Sequence, residues 1–127
     1  MDEQITAYQF HGFTLDVIHK KLLINSTGEI ITIGERQFIL LQHLCSASPQ
    51  PINKQQVIKK LWPSTIVSEW SLPRLISDTR KLLNDNGNQQ EIIKTERGIG
   101  FIIFDVITIY NEQPLPVLQK KQPRFSS

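Results

Sequence analysis

The spacing of apolar residues changes period along the chain, and each period predicts a different element. Over AYQFHGFTLDVIHKKLLINSTGEIITI, residues 7–33, short β-rich runs alternate with turn residues, and Ser26-Thr27-Gly28 marks a tight turn between KLLIN and EIITI. A small antiparallel sheet is expected there. From Gly34 the apolar positions recur at threes and fours: Phe38, Leu41 and Cys45, with Leu40 and Leu44, form the stripe of a first helix that runs out at residues 46–49. Asn53 followed by Gln56 has capping-box spacing and opens a second helix, whose apolar side is Val57, Ile58 and Leu61. Its Lys59 and Lys60 complement the C-terminal dipole, and Pro63 stops it just after Trp62.

The stretch SEWSLPRLISDTRKLL, residues 68–83, carries the strongest helical pattern. Leu72, Leu75, Ile76, Thr79, Leu82 and Leu83 make its buried side, and it ends near residues 84–88. Proline fits a helix's first turn without loss of a hydrogen bond, so Pro73 predicts that regular helix begins near Ser71 acting as N-cap. Residues 68–70 are then a looser lead-in, with Trp70 at the mouth of the helix. After a DNGN turn region, EIIKT and GFIIF read as a β-hairpin joined by Glu96-Arg97-Gly98-Ile99. Residues 111–127 have three prolines and no periodicity, and read as a flexible tail or linker. No internal repeat is visible. The expected organisation is α+β: one domain over residues 1–110, with an N-terminal antiparallel sheet, three helices and a C-terminal hairpin.

Composition narrows the setting. A chain of 127 residues can bury a core without disulfide or metal staples. Its single cysteine, Cys45, cannot form an internal disulfide, and no small-residue leader follows Met1, so a reducing, cytoplasmic location is expected. The longest apolar run, GIGFIIFDVITIY, is too short for a bilayer, contains Asp105 and is rich in β-branched residues, so it reads as strand. The net charge of +2 says little by itself, but its distribution does. Residues 1–52 hold three cations against five anions, a net −2, whereas residues 53–100 hold eight against five, a net +3. Lys59, Lys60, Arg74, Lys81 and Arg97 are therefore expected to share one positive surface.

The outer face of the third helix carries Arg74, Ser77, Asp78 and Lys81. Two helices joined by a short turn, the later one with a basic and polar face, followed by a hairpin with arginine at its tip, form a winged helix-turn-helix. A helix fits the major groove, where side chains meet a donor and acceptor pattern unique to each base pair. The hairpin can bring Arg97 to phosphates or to the narrow minor groove, with Gly98 and Gly100 allowing a tight turn. The plainer alternatives stand beside this. Charged outer faces of helices are usually only solvated; it is the wing that favours DNA. Trp70 either packs against the domain or touches the DNA backbone, Trp62 is expected in the core, and Cys45 is expected to be a packed, inert thiol. His43 and Cys45, two apart on a helix, point away from each other, and His11 and His19 have no partner at ligand spacing. ERGIGF lacks the longer glycine pattern, preceding strand and following helix of a nucleotide loop, and no nucleophile, base and orienting residue group together. Neither a cofactor nor catalysis is expected.

The frame ITIGERQFILLQHL, INKQQVIKKLW, LISDTRKLL and KTERGIGF resembles the DNA-binding domain of OmpR/PhoB-type transcription regulators over roughly residues 7–104. WPSTIVSEWSLPRLISDTRKLLND looks most like the ToxR/CadC-type branch, whose members carry this domain at the N-terminus, usually ahead of a membrane span and a sensing domain. The resemblance implies a four-stranded N-terminal sheet, three helices and a wing, and double-stranded DNA as the partner. The third helix would be the recognition helix. Trp70, Ser71, Pro73, Arg74, Ser77, Asp78 and Lys81 would stand at or near its DNA side, Arg80 near a phosphate, and Lys94 and Arg97 on the wing. RNA polymerase would meet the loop at residues 63–67, which opens on Pro63 and closes on Val67. A homodimer on DNA, and membrane attachment if a span follows Ser127 in a longer protein, are compatible with it, as is an output domain of a two-component response regulator. A winged-helix module that docks protein is the reading from another class. Three departures bear on base preference: Gly34 stands where the family usually has Thr or Ser, Gln37 replaces a common Glu, and Pro73 occupies a usually polar position.

Overall fold

The computed structural model describes residues 4–85 and 90–111; the tail expected at 111–127, apart from Asn111, and most of the DNGN turn therefore lie outside the described residues. The order is β1 (Gln4–Phe10), β2 (Phe13–Asp16), β3 (Lys21–Ile24), β4 (Ile30–Ile31), α1 (Glu35–Ala47), α2 (Lys54–Leu61), α3 (Ser71–Leu82), β5 (Lys94–Glu96), β6 (Gly100–Ile102) and β7 (Ile107–Asn111). The first four strands form the expected antiparallel meander, but the sheet has five strands in the order β4-β3-β2-β1-β7. The C-terminal strand returns to pair with β1, from Gln4 opposite Asn111 to Gln9 opposite Ile107. The long apolar run of the sequence is thus two strands rather than one, and the chain turns between them at Asp105, where φ is 59°. At the β1–β2 connection His11 and Gly12 both take positive φ, 48° and 86°, as a two-residue hairpin loop requires if its twist is to match the strands.

The helices start and stop as their cap chemistry dictates. Asn53 accepts from the Gln56 backbone N–H at 2.8 Å and donates its own N–H to the Gln56 side chain at 3.2 Å, a complete capping box for α2. Gly34 has no side chain to cap α1, so only half the motif forms: its backbone N–H donates to Gln37 Oε1 at 2.7 Å. Gln37 thereby performs the reciprocal half of the motif, as a glutamate would. For α3 the expectation of Ser71 as N-cap is corrected. Trp70 occupies that position with helical φ and ψ of −88° and −15°, and Ser71 is already the first helical residue. Residues before it turn in the helical sense, with the Ser71 N–H donating to the Ser68 carbonyl at 3.1 Å, so Ser71 is too far inside to cap. Pro73 is third in the helix, and the first intrahelical bond comes from Arg74 to the Trp70 carbonyl, so proline's missing N–H costs nothing.

One core joins the layers. Tyr8, Phe10, Leu15 and Leu22 on one face of the large sheet pack against Leu41 and Leu44 of α1, while Val57, Leu72 and Ile76 bring α2 and α3 onto the same cluster. Burying each such side chain contributes about 1.5–3 kcal/mol. Cys45 is in this cluster, and burial pushes its thiol up to about 12. Trp62 is half-buried at the edge of the core rather than inside it, with the Arg36 guanidinium carbon 5.3 Å from its ring centroid. The small hairpin β5–β6 is held from the helical side: Ile52, between α1 and α2, exchanges two backbone hydrogen bonds of 2.9 Å with Phe101. A Cβ at Gly100 would overlap the Ile52 carbonyl, which is why that position is glycine.

Candidate nucleic-acid interface

Helix α3 projects from the core on one side only. At about 100° per residue, Leu72, Ile76, Thr79 and Leu83 point to one side, Trp70, Arg74, Ser77 and Lys81 fall within about 50° of the opposite direction, and Pro73 stands on one flank of that outer arc. The first four are buried, and the other five, Pro73 included, are all exposed. Trp70 is 74% exposed, so it does not pack against the domain. Arg74 is 85% exposed and its Nε lies 4.0 Å from an Asp78 carboxylate oxygen at the flank of the arc. An exposed pair of this kind contributes little to stability, and its guanidinium can leave the carboxylate for another partner at small cost. Thr79, though polar, is fully buried, and its hydroxyl donates to the Leu75 carbonyl at 2.7 Å.

Two residues expected at the interface stand elsewhere. Ser71 is half-buried at the flank, with its Oγ 3.2 Å from Ser68 Oγ. Arg80 turns from the outer arc towards the hairpin, with a side chain only 12% exposed. Its Nε and Nη2 donate to the Ile93 carbonyl at 3.1 and 2.8 Å, and Nη2 also donates to Thr95 Oγ1 at 2.9 Å. Burial lowers the pKa of this guanidinium, and the Asp85 carboxylate 4.0 Å away acts in the opposite direction. Arginine remains charged at neutral pH in either case. Arg80 thus fastens α3 to β5.

Asp85, which the sequence pattern did not single out, completes that joint. Its carboxylate is fully buried and accepts from the backbone N–H groups of Glu91, Ile92 and Ile93 at 2.8, 3.2 and 3.0 Å. An acid just past a helix, ahead of an apolar Ile92-Ile93 pair, was the available clue, but its partners lie several residues on. At the hairpin tip Arg97 is exposed, and the Ile99 N–H closes the turn onto the Glu96 carbonyl at 2.9 Å with Gly98 at φ 78°. Lys94 is half-buried, its ammonium 5.7 Å from the Phe104 ring centroid.

A second feature the sequence reading missed borders α3. A groove of about 830 Å³ runs between the start of α1, the end of α2 and α3, and is lined by Arg36, Lys60, Trp62 and Arg74 together with Glu35 and Asp78. Lys60 and Arg74, far apart in sequence, share this groove. The loop between α2 and α3 leaves Ile66 fully exposed. Among the described residues no helix is long and apolar enough to cross a membrane.

Comparison with known proteins agrees with this geometry. Residues 28–103 match the family described as transcriptional regulatory protein, C terminal. The chain is 29% identical over 94 residues to a probable transcriptional regulator, ycf27, of Cyanophora paradoxa, covering 72% of this chain and 39% of that protein. It is 46% identical over 46 residues to the toxin coregulated pilus biosynthesis protein P of Vibrio cholerae, covering 36% of this chain and 21% of that one. The chain thus spans about a fifth to two fifths of the length of the curated relatives it matches. Among solved structures, the DNA-binding domain of Escherichia coli CadC superposes with a TM-score of 0.69 at 21% identity, over 85% of this chain and all of that one. The Klebsiella pneumoniae RstA DNA-binding domain, solved in complex with the RstA box, gives 0.68 at 23% identity, over 77% and 96%. Both show a shared fold.

Proposed function

Because the chain belongs to the family of transcriptional regulatory proteins, C-terminal domain, we propose that it binds double-stranded DNA sequence-specifically and regulates transcription. The observation that carries this is the outer face of α3: four exposed side chains opposite its buried side with exposed Pro73 at their flank, on a helix tied through Arg80 to a hairpin with Arg97 at its tip. In this reading α3 enters the major groove. Arg74 donates to guanine, Asp78 accepts from cytosine, Ser77 serves either role and Lys81 meets phosphate farther along the helix. Arg97 meets phosphate or a narrow minor groove from the wing. Arg80 holds the wing at a fixed distance from α3 instead of meeting a phosphate, because its Nε and Nη2 donate within the domain and its side chain is mostly buried. Lys94 supports the wing, and Ser71 and Trp70 shape the entry to the helix.

The family is one of regulators, so no catalytic role is assigned, and binding DNA puts this domain on the cytoplasmic side of any membrane. The loop at residues 63–67, which leaves Ile66 fully exposed, is the candidate contact for RNA polymerase. Fold similarity reaches both a CadC domain and response-regulator domains, so an output-domain role is equally compatible with the geometry. The test is the salt dependence of affinity for a duplex of random sequence, followed by selection of bound sites from a random library. A steep salt slope with enrichment of one site is expected. A flat slope would favour the protein-docking alternative.

A further inference from the structure

Two of the five exposed residues between Trp70 and Lys81 are apolar. Pro73 is exposed in the first turn, and Trp70, three residues earlier and on the same side of the helix, is 74% exposed. The other large apolar side chains of α3 are covered, with Leu72, Ile76 and Leu83 buried and Leu75 and Leu82 half-buried. The two exceptions sit at the end of the helix that a recognition helix presents to base edges. Proline has no N–H and a side chain without donor or acceptor, so at that place it can discriminate only by shape and apolar contact. The major groove offers one apolar group on its base edges, the C5-methyl of thymine.

We infer that Pro73, flanked by the Trp70 indole, reads thymine methyl groups, so that the N-terminal end of α3 lies over A·T pairs and Arg74, Ser77 and Asp78 read the pairs beside them. This rests on the DNA-binding reading above and adds the base class to it. Pro73 supplies the surface against the methyl, and Trp70 covers its open side and excludes water. Neither forms a hydrogen bond to a base in this arrangement, so the discrimination is hydrophobic and differs in kind from that of Arg74.

The experiment uses the full chain and the duplex recovered by selection from a random library. Each thymine is replaced in turn by deoxyuridine, which keeps base pairing and removes only the methyl. For the parent protein, one or two replacements should each weaken binding about four-fold, the loss for one buried methyl-sized group. In Pro73→Ser those replacements should have no further effect, and Trp70→Ser should shrink them; circular dichroism and urea denaturation establish that both variants are folded. The parent's own deoxyuridine profile tests the idea even if a variant fails to fold. A parent indifferent to deoxyuridine at every position, while still preferring its site, overturns the assignment. Equal sensitivity in the parent and both variants overturns it too. Absence of any salt-dependent complex would instead refute the DNA-binding reading, and this one with it.

Discussion

Arg74 and Arg97 carry the same charge but stand on different elements, and that difference predicts different losses. Arg74 extends from the outer arc of α3, 85% exposed, where base edges would lie. Arg74→Ala should cost about 1–3 kcal/mol on the selected site and relax specificity at one position. Arg97 stands on a turn closed by Gly98, so Arg97→Ala should weaken selected and random duplexes more evenly and lower the salt slope by about one. Titrations of both variants on both duplexes at two salt concentrations separate these outcomes; equal weakening of every duplex by Arg74→Ala would make it an anchor. His43 predicts a pH effect of another kind. Burial, and secondarily the nearby Lys60 charge, hold its pKa below the ordinary 6.5. The unfolded chain therefore takes up a proton at higher pH than the folded one, so stability present above pH 6.5 is lost as pH falls towards the folded value. Urea midpoints between pH 7.5 and 5.5 should fall less in His43→Gln than in the parent. The faces of α3 were legible because a period of 3.6 sorts residues without knowledge of partners. The role of Arg80 was not, because the carbonyl it binds lies 13 residues away in sequence.

Elements with local cap chemistry were readable, and those joined by long-range pairing were not. Asn53 with Gln56 marked the start of α2 because both partners lie within one turn. The fifth strand of the large sheet was hidden because β7 pairs with β1 across nearly the whole chain, and nothing in ITIYN names that partner. Gly100 was read as a residue that eases a tight turn, whereas its main constraint is the Ile52 backbone lying against it. Gly100→Ala should therefore push the hairpin off Ile52 and destabilise the domain by about 1–3 kcal/mol, the usual cost of overpacking, measured by chemical denaturation. Arg80 tests the other attachment of the same hairpin. Arg80→Ala leaves the Ile93 carbonyl without its charged donor and should cost about 1–3 kcal/mol of stability. Its salt slope on random duplex should match that of the parent; a slope lower by about one would return Arg80 to a phosphate.

At the scale of the whole molecule, the hairpin, the helices and the sheet depend on one another through the C-terminal segment. Ile103 is fully buried in the shared core, Val106 packs against it, and β7 then closes the sheet beside β1. The helical half was visible from sequence as an order of elements, but its closure by the last strand depends on a register that spacing cannot supply. The helical half of the domain is thus reached from β7 through a continuous core, and two C-terminal deletions, one sparing β7 and one removing it, should differ sharply in effect. Residues 112–127 hold three prolines and few large apolar side chains. Removing them should leave the denaturation midpoint nearly unchanged and duplex affinity within a few-fold of the parent. Removing residues 106–127 also deletes β7 and Val106, exposes the edge of β1 and should lower the midpoint strongly, with DNA affinity lost as the fold is lost. Thermal and urea denaturation of the two truncations, with duplex titration of each, makes the comparison. Unfolding on removal of residues 112–127 alone would show that the domain extends beyond Asn111, and unchanged stability on removal of residues 106–127 would show that β7 is dispensable to the core.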